Sequence, residues 1–75
     1  MQTELTYFAK QDLDSARRHG EHLVCGTKEG LVKLEYLEGC YVVTRQGLNA
    51  AELFRGARKG AINLLTSIYT VEVVA

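Results

Sequence analysis

Leu48-Asn49-Ala50-Ala51-Glu52-Leu53-Phe54-Arg55-Gly56-Ala57-Arg58-Lys59-Gly60-Ala61-Ile62-Asn63-Leu64-Leu65-Thr66-Ser67 is the stretch whose reading decides the fold. At helical spacing, Ala50, Leu53, Phe54, Ala57, Ala61, Leu64 and Leu65, with Ile68 just beyond, share one apolar arc. Glu52, Arg55, Lys59, Asn63 and Thr66 fall opposite. Asn49 stands where an N-cap belongs, Glu52 completes a capping box, and Leu48 and Leu53 occupy the staple positions. The spacing therefore predicts one long helix over residues 49–67. Gly56 and Gly60 are discordant, since each costs roughly 1 kcal/mol relative to alanine inside a helix. Close packing against them must offset that cost, or the helix is broken.

Upstream of this stretch the hydrophobic period changes from helical to two. From Glu21, Leu23 and Cys25 alternate with His22 and Val24, and Thr27-Lys28-Glu29-Gly30 reads as a turn with Gly30 left-handed. Leu31 to Leu37 places Val32, Leu34 and Tyr36 on one side and Lys33 and Glu35 on the other. Glu38-Gly39 makes a tight hairpin into Cys40–Arg45, whose two partly apolar faces suit a central strand. Residues 21–45 thus form a three-stranded meander. Tyr69, Val71 and Val73 alternate with Thr70 and Glu72, which predicts a C-terminal strand over 68–74.

The first twenty residues admit two readings. Leu5 and Tyr7 alternate with Thr6 and Phe8, as in a strand followed by a short helix near 11–19. A single helix from about Thr6 to His19 fits as well, with Ala9, Leu13 and Ala16 inside. Both readings end alike, with Arg17, Arg18 and His19 in a last helical turn and Gly20 past it. The fold class is α+β: a small two-layer domain, with a mainly antiparallel sheet of four to five strands packed against the long helix.

Seventy-five residues allow one domain, taken as residues 1–75. A chain of this length buries only about 60% of its unfolded surface, so a partner chain is a natural supplement to its core. The opening Met1-Gln2-Thr3-Glu4 has no basic or apolar leader character, and no apolar run approaches a membrane span. A soluble, cytoplasmic protein with free thiols is expected. Nine basic residues balance nine acidic ones, which does not suit a surface built wholly for nucleic acid.

Three groups of residues bear on function. His19, His22, Cys25 and Cys40 are zinc-type ligands, but their H-x2-H-x2-C-x14-C spacing matches no common knuckle, and His22 and Cys25 point to opposite faces of a strand. They read more simply as a helix-terminal histidine, a solvent-facing histidine and two small core thiols; no metal or other cofactor is expected. A Cys–His nucleophile pair lacks an orienting third group, so no catalytic residue is assigned and a non-enzymatic protein is expected. The cations Arg45, Arg55, Arg58 and Lys59, joined by Arg17 and Arg18, suggest a nucleic-acid face, although the glycine-rich segment matches neither a Walker loop nor a KH loop.

The helical wheel offers a different use for the same segment. Gly56, Gly60 and Ser67 form a strip nearly free of side chains, while Ile62 lies beside Arg55 and Arg58 outside the main apolar arc. Small residues one turn apart permit close backbone approach, and an apolar residue rimmed by arginines suits an interface. With Val73 of the C-terminal strand, these residues predict a protein-binding surface. The leading expectation is a regulator, adaptor or inhibitor that binds another protein and is itself a homodimer. Nucleic-acid binding is the alternative, and a Cys/His metal or thiol site the next.

Overall fold

A computed structural model describes residues 2–70. Its elements run α1 (Gln2–His19), β1 (Glu21–Val24), β2 (Val32–Leu37), β3 (Cys40–Arg45), β4 (Ala51–Gly56) and α2 (Arg58–Ile68). The strands form one antiparallel sheet in sequence order, and both helices lie on the same face, α1 over β1 and β2, α2 over β3 and β4. The α+β class and the meander over 21–45 are as the sequence predicts. Two elements differ.

The first difference is at the N-terminus, where helix replaces the expected strand. The apolar positions Leu5, Ala9, Leu13 and Ala16 follow helical spacing without a break through Gln11-Asp12. Ala9, Leu13 and Ala16 are fully buried, and the short helix expected near 11–19 is the second half of the 18-residue α1. The two-residue alternation that suggested a strand had put Leu5 and Tyr7 on one face. On the helix they separate, Leu5 against the core and Tyr7 into solvent. Gly20 closes the helix with φ 87°, its N–H donating to Ala16 O at 2.8 Å.

Within the sheet the turn chemistry is decisive. Glu38 and Gly39 have φ 51° and 80°, the paired left-handed conformations of a tight turn that suits strand twist. That turn fixes the register Leu37↔Cys40, Tyr36↔Tyr41, Leu34↔Val43 and Val32↔Arg45. Val32, Leu34, Tyr41 and Val43 then face the helices and join the core with Leu13, Ala61 and Leu65. On the opposite face Lys33 lies within 3.7 Å of Glu21 and 3.6 Å of Glu35. That face carries Val42, buried between Glu35 and Arg55 in register, whose long stems can cover a small apolar residue.

The second difference falls in the stretch that decided the sequence reading. The helix expected over 49–67 is two elements: residues 51–56 are β4, and helix begins only at Arg58. Asn49 and Glu52 do not cap it. Gly47 to Ala50 form the turn between β3 and β4, with Ala50 N–H donating to Gly47 O at 3.2 Å and Arg45 Nε to Asn49 O at 2.8 Å. Ala57 is the true N-cap, without a side-chain bond to the first turn. The helical wheel failed because a bulge in β4 mimics helical spacing. Register skips one residue between Val43↔Phe54 and Thr44↔Glu52, so Leu53 and Phe54 both pack toward the helix layer.

The two discordant glycines now have a place. Gly56 ends β4 and Gly60 lies in the first turns of α2, and both stand against the ring of Phe54. A Cβ on Gly60 would sit 2.6 Å from Phe54 Cζ, and one on Gly56 would sit 3.2 Å from the same atom. Glycine at 60 lets the helix settle onto the ring.

Of the C-terminal strand expected over 68–74, only residues 68–70 are described. Ile68 ends α2, and Tyr69 makes a single bridge to Thr27, flanked by hydrogen bonds Thr70 N–H to Gly26 O and Lys28 N–H to Ile68 O. Val71, Val73 and the remaining residues of that expectation lie outside the described residues. Among the described residues no helix is long and apolar enough to cross a membrane.

Gly60→Leu is expected to lower the free energy of unfolding by about 1–3 kcal/mol, the cost of overpacking. In a Phe54→Val background most of that cost should disappear. Urea denaturation of the four combinations reads the coupling; equal cost in both backgrounds would contradict the Phe54–Gly60 contact.

Candidate functional site

The most densely connected polar group on the helix side is centred on Asp12. Helical spacing brings Asp12 to the flank of α1 that overhangs β1, where His22 also faces the helix layer. His22 Nε2 lies 2.9 Å from Asp12 Oδ1, and the hydroxyl of Tyr69 donates to Asp12 Oδ2. One carboxylate thus ties together α1, the first strand and the segment after α2. Burial and the neighbouring Asp12 charge hold the Tyr69 phenol well above the ordinary tyrosine range. The linked carboxylate, imidazole and phenol resemble parts of an acid–base site. Their partners are one another, and their effect is to pin three segments.

The zinc-type residues are not gathered. His22 is engaged by Asp12, Cys25 is exposed just beyond β1, and Cys40 is half-buried at the start of β3. His19 is exposed at the end of α1. The expectation of His22 on the solvent face and Cys25 in the core is therefore reversed: His22 and Val24 point inward, and Leu23 and Cys25 outward. Among the described residues no three His, Cys, Asp or Glu side chains cluster as metal ligands do.

Most of the expected cationic face is occupied by interactions within the chain. Arg45 Nη1 lies 2.6 Å from Glu29 Oε1, Arg55 Nη2 2.7 Å from Glu52 Oε1, and Arg58 Nη2 3.3 Å from Asp14 Oδ1. Arg17 lies over the ring of Tyr36 at 5.2 Å, and that ring meets Tyr41 edge-on at 4.9 Å. Arg18 and Lys59 are exposed. Arg55 belongs to the outer face of the sheet, whereas Arg17, Arg18, Arg58 and Lys59 belong to the helix layer, so the cations do not form one surface.

The residues predicted as a protein interface are likewise placed one by one. Gly56 and Gly60 receive Phe54; Ile62 is half-buried against the core cluster. Ser67 Oγ donates to Leu64 O at 2.7 Å. Val73 lies outside the described residues. What remains open is the flank of α2 above β4, where Gly60 and Leu64 are half-exposed, and β4 itself, whose Leu53 and Phe54 are also half-exposed.

A surface that the sequence reading missed lies on α1. Tyr7 is 59% and Phe8 42% exposed, with ring centroids 5.8 Å apart in an edge-to-face pair. The reading of Thr6–His19 as one helix carries the signal for this pair, because Tyr7 then falls opposite Ala9, Leu13 and Ala16. The strand reading instead pairs Tyr7 with Leu5.

No family model matches the chain, and no curated protein or solved structure matches it.

Tyr69→Phe should cost about 1–2 kcal/mol at neutral pH by leaving the Asp12 carboxylate short of a donor. Because the folded-state pKa of Tyr69 is raised, its contribution is present below the ordinary phenol pKa of about 10 and is lost as pH climbs above it. The wild type should therefore lose stability more steeply than Tyr69→Phe above pH ~10. Urea midpoints measured from neutral to strongly alkaline pH check this, and parallel decline of the two proteins would contradict it.

Proposed function

We propose that this protein is a small non-enzymatic protein-binding module, homodimeric and cytoplasmic, which acts as a regulator, adaptor or inhibitor by covering part of another protein's surface. The observation that carries this reading is the Tyr7–Phe8 pair. Two adjacent aromatic side chains are held outside a helix whose apolar stripe is already buried against its own sheet. Exposed, paired aromatics on a rigid element are what binding hot spots are made of, since they bring large contact area with few rotamers to freeze. Among the described residues, the aromatic contact of each ring is with the other.

Charge and chemistry support the same choice. Arg45, Arg55 and Arg58 are set against carboxylates, which favours a protein partner over a phosphate backbone. The acid–base group that catalysis would draw on, Asp12 with His22 and Tyr69, is employed in joining segments of the fold. Two free thiols, Cys25 and Cys40, suit a reducing compartment.

The test is quantitative affinity capture from the cells that make the protein, comparing wild type with a Tyr7→Ser/Phe8→Ser variant of unchanged circular dichroism. The expected result is a discrete partner protein whose recovery falls at least about tenfold with the variant, the loss typical of a hot-spot residue. Equal recovery with both proteins would overturn the assignment of the binding surface to α1. Salt-sensitive retention of nucleic acid in place of a protein would overturn the class.

A further inference from the structure

We infer that the homodimer of this reading forms by antiparallel pairing of β4 with β4 of a second copy across a two-fold axis between Leu53 and Phe54. The inference rests on the homodimeric part of the proposed function and names its surface.

Three features of β4 carry it. First, the strand is an open edge: among the described residues it pairs with β3 alone, whereas just beyond the other edge, at Thr27, the chain is bridged by Tyr69. Leu53 and Phe54 are apolar and only half-buried there, at positions that in β2 and β3 are covered. An edge of this kind presents free backbone donors and acceptors to a further strand.

Second, the bulge makes β4 symmetric. Register with β3 puts Ala51, Phe54 and Gly56 on the helix face and Glu52 and Arg55 on the outer face, while Leu53, the inserted residue, also packs inward. The strand therefore reads in, out, in, in, out, in. That pattern is the same from either end. A regular strand alternates strictly, so pairing residue 52 with residue 55 of another copy would place them on opposite faces. One extra residue at the centre removes the conflict. Ala51 then stands opposite Gly56, Glu52 opposite Arg55, and Leu53 opposite Phe54, in both directions at once. A bulge ordinarily blunts an edge by spoiling its alternation; a central one selects a single self-complementary register.

Third, the charges fit that register. Glu52 of each copy lies opposite Arg55 of the other, on the open face of the sheet where the two already form a 2.7 Å ion pair within the chain. Their side chains are about half-exposed, 48% for Glu52 and 53% for Arg55, and so accessible to a second copy. An isologous contact requires this reciprocity, residue i on j and j on i.

The helix layer accepts the same arrangement. Each helix covers two strands, and strands lie about 4.8 Å apart, so the two copies of α2 would run side by side at roughly 10 Å, a normal packing distance. The flank they present carries Ala57, Gly60 and Leu64, with no charged side chain among them; the space a Cβ would take at Gly60 is filled by the chain's own Phe54 ring.

The charges allow a decisive exchange experiment. Arg55→Glu gives a chain with two acids at the paired positions, and Glu52→Arg one with two arginines. Each alone sets like charges opposite one another, and its dimer should weaken roughly ten- to a hundredfold. Mixed in equal amounts, the two variants present acid to arginine at both positions and should regain wild-type association in sedimentation equilibrium. A wild type that is monomeric throughout would overturn both this inference and the homodimer. A wild-type dimer left intact by either change, or loss of association that mixing does not restore, would overturn the β4 pairing alone.

Discussion

The ring of Phe54 beneath Gly60 is the contact on which the arrangement of the second half of the molecule depends. It sets the height of α2 above the sheet, because any side chain at 60 would collide with the ring. Beside it, the bulge in β4 lets Leu53 face the helices together with Phe54. In turn α2 carries Ala61, Leu65 and Ile68 into the core, and Tyr69 behind them reaches Asp12 on α1. Local steric detail at one glycine thus propagates to the joint between the first and last elements.

The central meander could be read from sequence because its determinants are local. Alternation fixes which side chains face inward, and Gly30 and the Glu38-Gly39 pair supply the left-handed conformations their turns need. The bulged strand could not be read in the same way. Ala50, Leu53, Phe54 and Ala57 have helical spacing, yet the same set arises when a strand gains one residue, and periodicity alone does not separate the two. The signal against a continuous helix was in the glycines. The break at Gly56 removes the cost there, while Gly60 remains inside α2, set against the Phe54 ring. At the N-terminus a six-residue window was too short to distinguish period two from period 3.6, so both readings stayed open and the aromatic pair on α1 was not singled out.

The interaction surfaces were partly legible. Gly56 and Gly60 were recognised as a place of close approach, and what approaches from within the chain is a phenylalanine. Arginines read as a common cationic face are instead dispersed, each set against a neighbour that its own element brings near. Side-chain pairing of this kind is fixed by tertiary placement and leaves no signature in spacing. Two of the surfaces left over carry the proposed interactions: the exposed aromatic pair on α1 and the open edge at β4. They belong to different elements and do not compete.

The strand over residues 51–56, with Phe54 under Gly60, underlies the placement of the second half of the molecule and the β4 edge. Solution NMR tests it most directly, through backbone chemical shifts over 51–56 and nuclear Overhauser contacts of the Phe54 ring. The predicted result is extended-strand shifts, cross-strand contacts from Phe54 to Val43, and a strong contact from the ring to the Gly60 α-protons. Helical shifts from Ala50 onward, with sequential helical contacts through Gly56 and none between the ring and Gly60, would contradict it.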